Sequence, residues 1–232
     1  MTSDVAAIIE NVALTTYSGR RTVHNYVLET LRRAILDGQL TSGTRLVQSE
    51  IAEALDVSTT PVREALRDLA AEGLIRLDAH RGGVVQELSL SELREIYELR
   101  VLLEPEALRR AWPHVTNEIV DEVAELHERM NKTQSPSDWV ELNSSFHGRI
   151  LELAPSPRLL LILDGLVAPW VMYVSASLMA DPENQKRAAE GHDHVLAALR
   201  ERDLDAAIAA SVEHLGITWR TLAASLQQQV PL

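Results

Sequence analysis

The sequence predicts a mainly α protein, an N-terminal winged helix-turn-helix with a small β-hairpin wing followed by an all-α helical bundle. Residues 49–75, SEIAEALDVSTTPVREALRDLAAEGLI, read as two short helices about a tight turn. The next stretch, LIRLDAHRGGVVQEL, offers two short β-like runs around Arg81-Gly82-Gly83. Beyond Leu88 the apolar residues recur at helical spacing and no strand alternation is present.

Residues 1–21 carry acids before their apolar residues and arginines after them, the reverse of a signal peptide, and are expected to be a mobile arm or short leading helix. Within the motif, Ile51, Ala52 and Leu55 form the buried stripe of the first helix. Val57 fills the bend, Ser58 or Thr60 caps the second helix, and Pro61 lies in its first turn, where a missing N–H costs little. Val62, Ala65, Leu66 and Leu69 then follow the i, i+3, i+4, i+7 rule, leaving Thr60, Arg63 and Arg67 together on the opposite side. A polar, basic stripe at a helix N-terminus suits the DNA major groove. Gly73 is placed to end that helix.

Leu88-Ser89-Leu90-Ser91-Glu92 marks a boundary, since Ser89 or Ser91 can cap a new helix. This divides the chain into an arm (1–21), a winged helix-turn-helix (22–87) and a helical domain (88–232). Helices are expected at 89–111, 116–132, 137–153, 157–180, 183–201 and 204–227, separated by proline- and serine-containing breaks. Together they make a bundle of about six helices. Leu159–Ala180 has one charge in 22 residues, long enough to span a membrane. Asp164 and Pro169 within it favour a buried bundle helix and no membrane partner.

The chain has no cysteine, which excludes a disulfide framework and a thiolate zinc site and is compatible with a reducing cytoplasm. Its net charge of -12 is unevenly distributed: residues 1–88 carry -3 and residues 89–232 carry -9. Within residues 20–86 the signs balance, so any basic face must come from arrangement, with Arg32, Arg33, Arg45, Arg63, Arg67, Arg76 and Arg81 as candidates for phosphate contact.

In the helical part Asn143 and His147 are one turn apart on one helix. His192 begins an apolar stripe with Val195, Leu196 and Leu199, and His214 lies on another with Leu204, Ala207, Ser211 and Leu215. On one continuous helix His192 and His214 would be about 33 Å apart. If the chain reverses at Asp203, a plausible N-cap, each lies 11 residues from the turn and the two meet at one level. Three inward imidazoles and the Asn143 oxygen would suit Zn2+, Ni2+ or a similar divalent ion, leaving positions for water or an acidic ligand. His194 points away from His192, and His24, His80, His114 and His127 have no matching partners.

Two resemblances follow. Leu55-x-Val57-Ser58-x-Thr60-Pro61-Val62-Arg63-Glu64-Ala65-Leu66-x-x-Leu69-x-x-Glu72-Gly73-Leu74-Ile75 resembles the signature of the GntR family of bacterial transcription regulators. It implies a DNA-facing set of Arg45, Ser49, Thr59, Thr60, Arg63, Arg67, His80, Arg81 and Gly82, with Ser49 and Thr59 where many members carry arginines. Tyr97-Glu98-Leu99-Arg100-x-x-Leu103-Glu104, Asn143-x-x-Phe146-His147, His192 and His214-Leu215 are similar to the FadR-type C-terminal effector domain, FCD. Metal-binding members place an aspartate and three histidines at Asn143, His147, His192 and His214, so Asn143 removes the anionic ligand. Arg100 matches a position that often faces the effector, although an ion pair with Glu104 would also account for it.

The resulting expectation is a cytoplasmic homodimer that reads a palindromic double-stranded DNA operator and senses a small carboxylate through Arg100, Asn143, His147, His192 and His214, with a divalent metal as cofactor. The alternatives are a metal-free sensor of a larger apolar ligand such as an acyl thioester, and a metallohydrolase built on the histidines. Against the enzyme, no HExxH, GxSxG or P-loop motif is present.

Overall fold

The computed structural model describes residues 2–16, 22–78, 82–181 and 183–229. It divides into two compact units, Met1–Glu87 and Leu88–Leu232.

The first unit begins with helix α1 (Thr2–Thr16), so the described part of the N-terminal stretch is helical. It packs on α2 (Val23–Leu36) and α3 (Gln48–Ala54), burying Ile9, Val12 and Ala13. Thr22 caps α2 by accepting from the Asn25 amide at 3.3 Å. Between α3 and α4 (Thr59–Ala71), Asp56 takes a left-handed conformation (φ 51°) and the Val57 amide donates to the Ala52 carbonyl, closing the tight turn. Ser58 is the N-cap residue of α4, without a side-chain cap bond. Val62, Ala65, Leu66 and Leu69 are buried. Gly73, at φ 69°, follows the helix end as the sequence requires.

The wing differs from the predicted hairpin by one strand. β1 (Arg45–Val47), β2 (Ile75–Asp78) and β3 (Gly82–Val85) form an antiparallel sheet in the order β1-β3-β2. Val47 pairs with Gly82, and Leu77 with Gly83. Gly82 has φ 122°, and a Cβ there would lie 1.9 Å from the Leu46 carbonyl oxygen, so β1 can approach only a glycine.

The second unit comprises α5 (Leu90–Ala111), a 3-10 turn at Trp112–His114, α6 (Asn117–Lys132), α7 (Pro136–Leu151), α8 (Pro157–Ala180), α9 (Glu183–Glu201) and α10 (Leu204–Gln229). Thr116 and Ser135 cap α6 and α7 through the Ile119 and Asp138 amides. Arg202 adopts φ 56° and Asp203 accepts from the Ala206 amide at 2.9 Å, so the chain reverses between α9 and α10. Arg202 is held by the Asn117 side chain at 2.7 Å and by the Val115 carbonyl.

α8 departs from the expected buried helix. Pro169 is accommodated inside it, and Leu161 and Ile162 are 63% and 53% exposed within the chain. Its inner side buries Leu163, Trp170 and Tyr173. The Tyr173 hydroxyl accepts from the Ser89 amide at 3.1 Å, and its own proton faces the Ser89 carbonyl at 3.0 Å and a Glu92 carboxylate oxygen at 2.7 Å. Burial is the first cause that raises the phenol pKa above its ordinary value.

Candidate functional site

The first unit carries a polar face on α4 and its surroundings. Thr59, Thr60, Arg63 and Arg67 are exposed on α4, and Ser49 and Arg45 are exposed on α3 and β1. Arg45 also lies 4.0 Å from Asp78. Gly82 takes its place in β3, whereas His80 and Arg81 lie outside the described residues. Arg76 is exposed. The Arg32 guanidinium grips Glu72, with Nε donating at 2.9 Å, and also meets Glu29. That pairing ties α2 to the end of α4, as His24 ties α2 to Asp68 at 2.8 Å. Arg33 is half-buried on α2.

In the second unit the reversal at Asp203 sets His192 beside His214, ring centroids 4.5 Å apart. α7 adds His147, whose Nε2 lies 3.2 Å from His192 Nε2. One ligand nitrogen from each of the three lies within 4.8 Å of the others. Two imidazole nitrogens on a tetrahedral ion at ~2.05 Å are about 3.3 Å apart, so the spacing fits a shared cation. His192 Nδ1 and His214 Nδ1 are buried without a hydrogen-bond partner.

Burial is the first cause that holds these imidazoles neutral, the form that ligates a metal. His147 and His192 titrate well below the ordinary histidine value, and His214 is lowered to about 4. The positive charge of Arg100 lowers His147 and His214 further. Gly191 makes room for the cluster, because a Cβ there would meet His214 Nδ1 at 2.3 Å.

Arg100 forms the ion pair with Glu104 considered for it. Its Nε donates to Glu104 at 2.6 Å, and its guanidinium lies 4.7 Å from the Trp170 ring centroid. Nη1, however, is buried without a partner. Arg100, Asn143 and His147 line both a narrow cavity that also reaches His214 and a larger chamber between α7 and α8. An unmatched guanidinium nitrogen beside three neutral imidazoles is equipped to receive an anion.

His194 is exposed, apart from the cluster, and so is His114. His127 is not part of the cluster of His147, His192 and His214, but it is engaged elsewhere. It is buried, with Nε2 2.9 Å from Asp193 and 3.2 Å from the Asn131 amide, and its ring stands edge-on to His192. Its placement depends on α6 meeting α9, which the α6 sequence by itself does not specify.

Known proteins reproduce this pairing of units. Residues 24–85 match the profile described as "Bacterial regulatory proteins, gntR family", and residues 95–216, more than half of the chain, match the FCD domain. The chain belongs to the GntR family, in its FCD-bearing branch. It is therefore a DNA-binding transcription regulator.

The probable D-xylose utilization operon transcriptional repressor of Paenarthrobacter nicotinovorans is 31% identical over 199 residues, which is 84% of this chain and 87% of that one. The HTH-type transcriptional repressor RspR of Escherichia coli K12 is 29% identical, covering 83% and 86%. Among solved structures, E. coli McbR/YncC superposes with a TM-score of 0.72 at 25% identity, over 91% of this chain and 100% of that one. These relatives are transcription regulators rather than enzymes, which sets the metallohydrolase alternative aside.

Proposed function

We propose that this GntR/FCD regulator is a cytoplasmic homodimer whose α4 face reads a palindromic operator and whose helical unit senses a small carboxylate. His147, His192, His214 and Asn143 would hold a divalent ion, Zn2+ or Ni2+ by their chemistry. Such an ion supplies positive charge to which a carboxylate oxygen can bind. Arg100 supplies the second cationic contact through its free Nη1, while Glu104 and Trp170 keep the guanidinium in place. The observation that carries this reading is the buried, unpaired Arg100 Nη1 beside a cluster of three histidines in which His147 Nε2 and His192 Nε2 lie 3.2 Å apart. Effector binding then changes operator affinity by favouring one arrangement of the protein over another.

Thermal unfolding of the metal-stripped chain tests this reading. Zn2+ or Ni2+ should raise the midpoint, and sugar acids, hydroxy acids, dicarboxylates or aromatic acids should raise it again only in the presence of metal. A chain that responds to neither metal nor any acid would defeat the proposal. An equal response to an acid in EDTA would favour the metal-free sensor instead.

A further inference from the structure

The chamber beside Arg100 is large for a small polar acid. It has a volume of about 380 Å³, room for roughly a dozen waters, and lies within the size range of ligand sites. Apolar side chains make up the largest part of its walls, Val140 and Leu151 of α7 and Leu160, Leu163, Val167 and Val171 of α8, while Glu104, Asn143, Ser144, Glu152 and Asp164 are the polar residues beside Arg100 and His147. Ser144 is the one hydroxyl on these walls, and Arg100 the one arginine or lysine, among the described residues. Of the acids, Glu104 is held by Arg100, while Glu152 and Asp164 are exposed. Glu152 is already paired with Arg149 at 2.5 Å.

This distribution separates ligand classes. A polyhydroxylated acid entering the chamber would exchange many water contacts for few protein ones, the Ser144 hydroxyl, the Asn143 side chain and the exposed carboxylates of Glu152 and Asp164. A dicarboxylate would find one arginine on these walls for its two charges, with the like charges of Glu152 and Asp164 also present. An acid with a single carboxylate and an apolar body loses little on entry and gains the burial of its chain. Resting on the carboxylate reading above, we infer that the effector class is an amphiphilic monocarboxylate, its head at Arg100 and the histidines and its apolar body in the chamber between α7 and α8.

Titration calorimetry of the zinc-loaded full chain with acetate, butanoate, hexanoate and octanoate tests the inference. Affinity should rise about fourfold for each added methylene. Gluconate and octanedioate should bind at least tenfold more weakly than octanoate. A flat chain-length series, or gluconate or octanedioate binding as tightly as octanoate, would overturn the amphiphilic class while leaving the carboxylate reading in place. Failure of every acid, acetate included, would remove both. A folded Val171→Trp variant, which fills the chamber, should lose at least tenfold in octanoate affinity, and undiminished binding would overturn the inference. If that variant does not fold, the wild-type series still decides.

Discussion

Gly191 on α9 lies against the ring of His214 on α10 so closely that a Cβ would come within 2.3 Å of Nδ1. The third imidazole therefore depends on a residue that contributes no ligand atom. Gly191→Ala should displace the His214 ring and weaken metal binding at least tenfold, with a stability loss of about 1–3 kcal/mol from overpacking. Competition with a chromophoric chelator measures the first and chemical unfolding the second. Wild-type metal affinity in the variant would show that the ring has another position to occupy.

Asn143→Asp restores an anionic oxygen one turn from His147. It should tighten metal binding, because a neutral ligand set leaves the charge of the ion uncompensated. His147→Ala, His192→Ala and His214→Ala should each release metal, whereas exposed His194→Ala should retain it. Elemental analysis of the purified variants reads the outcome. Equal loss in His194→Ala would count against the cluster as the binding site.

Arg63→Ala should weaken specific operator binding by about 1–3 kcal/mol, the scale of one bidentate arginine–guanine contact. The side chain is exposed on α4, so the melting temperature should stay close to wild type. Fluorescence anisotropy with an operator selected from random duplexes provides the measurement. Unchanged affinity would place the reading surface elsewhere.

Stability of the metal-free chain should fall on acidification. An unfolded histidine takes up its proton near pH 6.5, while folded His214 does so only near 4. Between those values the unfolded state holds more protons, so the contribution is complete above about pH 6.5 and diminishes as pH falls toward 4. For His214 the loss is on the order of 3 kcal/mol, with His147 and His192 acting in the same direction. Unfolding in EDTA at pH 7.5, 6 and 5 should show the decline, and His214→Asn should reduce its slope. An identical slope in that variant would exclude His214 as a contributor.

The elements most legible in the sequence were those whose pattern is local. The α4 stripe follows from 3.6-residue periodicity, and the meeting of His192 with His214 follows from counting residues on either side of Asp203. Features made by distant contacts were harder to read. β1 is three residues long and exists because Gly82 and Gly83, far along the chain, pair with Val47 and Leu46. The requirement for Gly191 comes from α10, and the ion pair of Arg32 with Glu72 joins α2 to the end of α4. α8 has the composition of a core helix, but its neighbours cover only one side and leave Leu161 and Ile162 exposed within the chain.

The Tyr173 hydroxyl gives α8 a second role. Val171 and Val174 line the cavity walls, while the intervening Tyr173 grips the backbone of Ser89, the second residue of the helical unit. Chamber wall and chain entrance are therefore geared together through one phenol. A displacement of α8 must either carry Ser89 with it or break those bonds.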